Sequence, residues 1–324
     1  MTNPQSLVQE RLSNNSWGML GSQGYVLGLD VGSYGLRAGL VDLHSHTYTS
    51  AQSDAKPANA DATVEQLNSL VRELLEQQRV TSDRLVRVGV GFPGPVDARH
   101  GIILLSPRAP GWEQFPICER LEATFGATTL LDNDANLIAL AEATFGVGRG
   151  VQHLVYVHLS SGVGGGLVLN GRLYQGATTT AGEIGHAVIG ARDLSKPDER
   201  PRTLEECVSV SGLMRRAAEL GLETDQLDDI FGSHLVGQQV VAEAADILAL
   251  RLSQITALLD PQMIVLGGVV ARYGGDGFVQ AIRERMQLYM PLPVERSVSI
   301  VASTLGSESV VLGGVALALE SMRE

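Results

Sequence analysis

Residues 25–43 read YVLGLDVGSYGLRAGLVDL, and residues 153–170 read HLVYVHLSSGVGGGLVLN. In each stretch an apolar run reaches a glycine-containing turn and a second apolar run follows, which is typical of a buried β-hairpin. A hairpin pattern that occurs twice in one chain indicates an internal duplication. The sequence therefore predicts two lobes that each open with a β-hairpin.

Strand-like and helix-like patterns alternate around these hairpins. Thr63-x-x-Gln66 is typical of a capping box at the start of a helix, and apolar residues at helical spacing follow it. Such alternation predicts an α/β fold. We place the N-terminal lobe at residues 25–132 and the C-terminal lobe at residues 133–324, with the last helix able to pack back on the N-terminal lobe.

Residues 1–24 are polar and weakly patterned. They are too short for a DNA-binding module, so we expect a flexible leader or the remnant of a separately encoded module. The segment lacks the basic stretch followed by an apolar one that a signal peptide needs. The longest apolar run, residues 310–319, is far shorter than the ~20 residues that span a bilayer. We therefore expect a cytoplasmic protein that does not enter the membrane.

Acidic residues outnumber basic ones, with 36 Asp and Glu against 24 Lys and Arg and a net charge of −12 over 324 residues. Binding to nucleic-acid phosphates needs a basic face, so direct nucleic-acid binding by this chain is not expected. Two cysteines, Cys118 and Cys207, are too few for a disulfide framework or for a cysteine-based zinc site, which fits a reducing compartment.

The chain has 37 glycines, an excess over the usual ~7%, and they cluster at strand ends. A turn without Cβ atoms lets backbone N–H groups approach an anion. Two such turns facing each other across a cleft would hold a polyphosphate, and Asp30 beside the first turn could hold the Mg²⁺ that such a phosphate needs. The alternative is that Gly32 and residues 162–166 only close tight hairpins.

Three side chains later in the chain are candidates for sugar chemistry. Asp134 follows a strand and starts a helix, so it is either the helix N-cap or a general base that deprotonates a substrate hydroxyl. Asp132 is its competitor, and we expect it to be buried at the strand end. Glu183 and His186 are three residues apart, so a turn or helix start would present both on one side for hydrogen bonds to sugar hydroxyls.

The sequence resembles the ROK family of repressors, open reading frames and sugar kinases over about residues 25–320. The motifs that carry the resemblance include GFPGPVD at 91–97, DNDANLIALAEATFGVGRG at 132–150, AGEIGHAVIG at 181–190 and LGSESVVLGGVALA at 305–318. The resemblance implies a duplicated actin-like ATPase fold, related to ribonuclease H, with a cleft between two lobes that close on the ligand.

The resemblance also implies a role for individual residues. The first phosphate motif contains Asp30 and Gly32. The second phosphate motif contains Ser161, Gly162, Gly164, Gly165 and Gly166. The adenosine side of the nucleotide site contains Gly267 and Gly268. Asp134 matches the catalytic base. The residues that match the sugar-binding set are Asn133, Asp134, Glu183, His186 and Glu205.

Three departures from the family pattern bear on activity. Ser33 and Tyr34 stand where the kinases have Gly-Thr in the first phosphate motif, which opposes ATP binding. The family's zinc loop is absent, since residues 191–203 contain no cysteine, so we predict no zinc. Arg108 replaces a sugar-contacting Asn, and we expect it to suit an acidic or phosphorylated ligand.

Two functions remain open at this point. The first is the sugar-sensing domain of a ROK transcriptional regulator that lacks its own helix-turn-helix. The second is an ATP- and Mg²⁺-dependent sugar kinase in which Asp134 acts as the base. Either function takes a monosaccharide or a sugar derivative as its ligand. By resemblance we expect a homodimer or homotetramer.

Overall fold

The computed structural model describes residues 3–13, 24–32, 35–106, 110–191, 195, 200–290 and 298–322. By their mutual contacts the described residues form two compact units. The first unit draws on Met1–Gly150, Arg172–Ala181 and Thr304–Glu324. The second draws on Val151–Gly171 and Gly182–Ser303.

The strands are β1 (Tyr25–Gly32), β2 (Gly35–Asp42), β3 (Tyr48–Ser53), β4 (Leu85–Phe92), β5 (Val96–Asp97), β6 (Ile102–Ile103), β7 (Thr128–Asn133), β8 (Leu154–Leu159), β9 (Val163–Leu169), β10 (Arg172–Leu173), β11 (Met263–Gly267) and β12 (Ser299–Ala302). The helices are α1 (Pro4–Ser13), α2 (Ala60–Gln77), α3 (Ile117–Phe125), α4 (Asp134–Thr144), α5 (Leu204–Val208), α6 (Val210–Glu219), α7 (Leu227–Phe231), α8 (Leu235–Leu259), α9 (Gly268–Tyr289) and α10 (Ser309–Ser321). Short 3-10 turns lie at Ser82–Arg84, Ile184–His186 and Gly306–Glu308.

The two units contain sheets of the same topology. In the first unit the order is β3-β2-β1-β4-β7, with antiparallel pairing in the β1–β2–β3 meander and parallel pairing of β1 with β4 and of β4 with β7. The second sheet, in the order β10-β9-β8-β11-β12, repeats this, with an antiparallel β8–β9 hairpin and parallel β8–β11 and β11–β12 pairs. Both predicted hairpins are therefore confirmed, and so is the duplicated α/β fold.

Glycines in the first sheet let α10 lie directly on the strands. A Cβ at Gly28 would stand 2.2 Å from the carbonyl oxygen of Val311, and a Cβ at Gly89 would stand 2.0 Å from that of Gly314. Neither position can carry a larger side chain unless the helix moves away. Part of the glycine excess therefore serves helix-to-sheet packing rather than turns.

Two local predictions are wrong. Residues 4–13 form a helix whose Leu7, Val8 and Leu12 are buried among core residues of the first unit, so this part of the leader is packed rather than flexible. The predicted capping box at Thr63 is also wrong, because α2 begins one turn earlier. Its N-cap is Asn59, whose side chain accepts a hydrogen bond from the Ala62 N–H at 2.9 Å.

In the second unit, α9 packs against β8, β11 and β12, and α8 packs against α9, with an apolar core that includes Val155, Val157, Leu248 and Ile264. Helix α8 ends at Leu259, and Asp260 after it adopts a left-handed conformation with φ of 45°. In the part of the chain that the structure describes, no helix is long and apolar enough to cross a membrane.

Candidate functional site

The first glycine turn follows β1, and the carboxylate beside it, that of Asp30, faces the guanidinium of Arg37. Asp30 is buried, with 5% of its surface exposed, and lies directly opposite Arg37 in the β1–β2 register. Arg37 Nη1 donates to Asp30 Oδ2 at 3.3 Å. Burial raises the pKa of Asp30 to about 7, Arg37 opposes that rise, and the negative charge of Asp134 adds to it.

A Cβ at Gly32 would stand 2.9 Å from Asp30 Oδ1, so a larger residue there would require this buried carboxylate to move. Ser33 and Tyr34, on which the expectation about ATP rests, lie outside the described residues. Arg108 lies outside them as well, so its role in binding an anionic ligand stays a prediction.

The corner between β7 and α4 holds three consecutive polar residues with different environments. Asp132 is 1% exposed, which confirms that it is the buried member. Its Oδ1 accepts from the Asn133 N–H at 2.7 Å and from Asn136 Nδ2 at 2.8 Å, and its Oδ2 accepts from Gln175 Nε2 at 2.6 Å. Burial raises the pKa of Asp132, and these donors oppose the rise.

Asn133, and not Asp134, is the N-cap of α4. Its side-chain oxygen accepts from the Ala135 N–H at 2.9 Å, and its Nδ2 donates to the carbonyl oxygen of Gly94 at 3.0 Å. The capping interpretation of Asp134 is therefore wrong. Asp134 is the first residue of α4, where the helix dipole favours a negative charge, and its Oδ1 also accepts from the Ala135 N–H at 2.7 Å. It is a carboxylate held at a helix start, as a general base would need.

The second glycine turn, between β8 and β9, faces an anion. Glu205 Oε2 accepts from the Val163 N–H at 2.9 Å. A Cβ at Gly162 would stand 3.0 Å from the same oxygen. Glu205 reaches this turn because it lies in the first turn of α5, whose start is fixed by a capping box between Thr203 and Glu206.

Glu183 and His186 lie around the 3-10 turn at Ile184–His186, and both remain accessible. His186 Nε2 is 3.6 Å from Glu183 Oε2, with side-chain exposures of 75% and 48%. The expected placement on one side is therefore present, and two exposed polar groups can hydrogen-bond hydroxyls. Among the described residues, no three His, Cys, Asp or Glu side chains come together as a metal site would require. The loop that follows is only partly described, so the absence of zinc stays a prediction.

The sequence analysis did not single out Tyr156 and His158. The Tyr156 hydroxyl and His158 Nδ1 are 2.9 Å apart, and burial lowers the pKa of His158 to about 4. Gly267 makes room for this pair, since a Cβ there would stand 2.3 Å from the Tyr156 hydroxyl. Gly268 has φ of 90°, and a Cβ there would meet the carbonyl oxygen of Leu159. The sequence contained a signal for this pair. Tyr156 and His158 are two residues apart on one strand, and glycines lie opposite them on the neighbouring strand.

Two sheets of identical topology, each opening with a glycine-turn hairpin, define the actin-like ATPase class of fold. The ROK family model matches residues 26–321, and the chain belongs to the ROK family. It is 30% identical over 267 residues to a glucokinase of Halalkalibacterium halodurans, covering 76% of this chain and 80% of that protein. It is 27% identical over 276 residues to a putative xylose repressor of a Caldicellulosiruptor species, covering 80% of this chain and 69% of that protein. The structure of a ROK hexokinase from Thermus thermophilus superposes with a TM-score of 0.80 at 28% identity, covering 92% of this chain and 99% of the hexokinase.

Proposed function

We propose that this chain is a monosaccharide-binding sensor of the ROK regulator type, which binds a sugar without phosphorylating it. The residues proposed to contact the sugar are Asn133, Asp134, Glu183, His186 and Glu205. Glu183 and His186 are exposed and the other three are half-buried, and their carboxylate, amide and imidazole groups are suited to pairs of sugar hydroxyls. The match to a putative xylose repressor supports a sensing role, and the matches to sugar kinases support the sugar as ligand.

The proposal that the chain does not phosphorylate its sugar rests on the ion pair between Asp30 and Arg37. Phosphoryl transfer depends on Mg²⁺ bound through carboxylates and phosphates. Among the described residues, the partner of the Asp30 carboxylate at the first turn is the guanidinium of Arg37 on the facing strand. A guanidinium about 5 Å from a second positive charge repels it by about 3 kcal/mol per unit charge at an effective dielectric constant of about 20. Arg37 therefore opposes binding of a dication at Asp30.

A sugar kinase is the second candidate, and the position of Asp134 favours it. A carboxylate at the first residue of α4 is suited to accept a hydroxyl proton. In that case Asp30 would hold Mg²⁺, which would neutralise the charge of the ATP phosphates. Arg37 would then have to leave Asp30 when the nucleotide binds.

The two candidates are separated by measuring binding and turnover on one preparation. Isothermal titration with D-glucose, D-xylose and a wider panel of hexoses measures sugar binding. A coupled assay for ADP release with ATP and Mg²⁺ measures turnover. We expect binding of at least one sugar and no sugar-dependent ADP release above the level of Asp134→Asn. Turnover that is abolished in Asp134→Asn would overturn the sensor proposal.

A matched pair of variants tests whether Glu183 contributes to sugar binding. Glu183→Gln replaces a carboxylate proposed to contact the sugar, whereas Glu219→Gln replaces one on α6 that pairs with Arg216. We expect the first to weaken sugar binding at least tenfold and the second to leave it unchanged. Equal binding by Glu183→Gln and the wild type would remove Glu183 from the proposed set.

A further inference from the structure

The segment Arg172–Ala181 belongs by its contacts to the first unit, although the chain before and after it belongs to the second. Hydrogen bonds from the side chains of Gln175 and Thr179 join it to the rest of that unit. Gln175 Nε2 donates to Asp132 Oδ2 at 2.6 Å, and Thr179 Oγ1 donates to the carbonyl oxygen of Val96 at 3.1 Å. Only the first of these bonds reaches the β7–α4 corner.

Asp132 connects that bond to the candidate site. Its Oδ2 has Gln175 as a donor, and its Oδ1 receives the Asn133 N–H and Asn136 Nδ2. Asn133 then caps α4 and Asp134 follows it, so the Asp132 carboxylate is joined by hydrogen bonds to the residue that caps the helix and to the helix itself. A buried carboxylate keeps one rotamer only while its hydrogen-bond donors are in place.

Among the described residues, Gln175 is the hydrogen-bond donor to Asp132 Oδ2. Asn136 is 2% exposed, and its Oδ1 has no hydrogen-bond partner within the described ranges. Its Nδ2 already donates to Asp132. Loss of the Gln175 donor would therefore remove the hydrogen bond at Asp132 Oδ2, while the bond from Asn136 goes to Oδ1.

We propose that Gln175 is a positioning residue that holds Asp132 and, through it, places Asn133 and Asp134 for the sugar. The inference rests on the proposed function as far as the sugar is concerned. The hydrogen bond from Gln175 to a buried carboxylate is of the charge-assisted kind, whose loss is expected to weaken sugar binding about tenfold. Gln175 itself does not contact the sugar.

The test uses three variants of the full chain. Gln175→Met keeps the length of the side chain and removes the donor, whereas Gln175→Lys keeps a donor. Thr179→Val is the matched control, because it removes a hydrogen bond of the same segment that does not involve Asp132. Circular dichroism and thermal melting establish that each variant is folded before binding is measured.

We expect Gln175→Met to weaken binding of the best sugar from the panel about tenfold, and Gln175→Lys and Thr179→Val to bind it within about twofold of the wild type. Removing a donor to the ionised form raises the pKa of Asp132, so the acid limb of the affinity profile should also move to higher pH in Gln175→Met. Wild-type affinity in Gln175→Met would overturn the inference. The inference would also be overturned if Gln175→Met and Thr179→Val weakened sugar binding equally and the pH profile of affinity did not shift. That pattern would indicate that the Gln175 bond only anchors the segment.

A titration of the Asp132 carboxyl by carbon-13 NMR, in the protein without sugar, separates this inference from the proposed function. An upward shift of that titration in Gln175→Met, and not in Thr179→Val, supports the link between Gln175 and Asp132 even if no sugar on the panel binds. Failure of the wild type to bind any sugar would then overturn the proposed function alone. An unshifted titration would overturn the link itself.

Discussion

The two glycine turns share a backbone design and differ in the charge that each meets. At the first turn, a buried carboxylate on β1, Asp30, is balanced by a guanidinium on the facing strand. At the second, a backbone N–H of β9 is balanced by the carboxylate of Glu205, which comes from α5. The hairpin itself therefore does not determine what binds beside it. The neighbouring side chains supply a cation in one unit and an anion in the other.

The largest effect is expected from removing the cation at the first turn. Arg37→Met leaves the buried Asp30 without its partner and should lower the free energy of unfolding by about 3 kcal/mol at pH 8. The loss should be smaller at pH 5, because Asp30 is then protonated and no buried charge is left unpaired. Urea denaturation at both pH values measures this. Arg120→Met, which removes an exposed ion pair with Asp61, is the control and should cost less than about 1 kcal/mol.

The pH dependence of stability gives the next effect in size. The pKa of Asp30 is about 7 in the folded protein and close to 4 in the unfolded chain, so the folded state holds the proton more tightly. A raised carboxyl pKa means that stability is greatest at low pH and is lost as pH rises toward 7. Between pH 5 and 7 the wild type should lose about 2 kcal/mol more than Asp30→Asn does. Parallel stability profiles for the two proteins would contradict this.

At the second turn we expect a smaller loss of stability. Glu205→Ala removes the acceptor from the Val163 N–H, which water can partly replace, so the free energy of unfolding should fall by about 1 kcal/mol. Glu205→Gln keeps an acceptor oxygen and should recover about half of that loss. Chemical denaturation at pH 7 tests both variants. A loss as large as that of Arg37→Met would show that the two turns do not differ as described.

The smallest effect is expected at Gly162. An added Cβ would lie 3.0 Å from Glu205 Oε2, which is the end of a flexible side chain that can move by a few tenths of an ångström. Gly162→Ala should therefore change the free energy of unfolding by less than about 1 kcal/mol. Gly89→Ala is the contrasting control, because its Cβ would meet a backbone oxygen of α10 at 2.0 Å, and thermal melting should show severe destabilisation.

Hairpins, the α/β class and the polar corner after β7 were accessible from sequence because they depend on spacing within a few residues. Burial of Asp132 was also predicted, since it ends an apolar strand. Helix α1 was missed because its apolar residues gain stability only from the distant strands on which they pack. The N-caps of α2 and α4 were missed because several adjacent residues are chemically able to cap, and backbone geometry selects one of them.

Periodicity and glycine placement determined that this chain folds as a duplicated α/β protein with two glycine turns, since such patterns act through local backbone geometry. The tertiary structure decided which charges meet at those turns. Asp132 receives its donor from Gln175, and Val163 receives its acceptor from Glu205, each about forty residues further along the chain. Only packing brings such residues together, because hydrogen bonds and ion pairs act over a few ångströms and sequence spacing does not encode those distances.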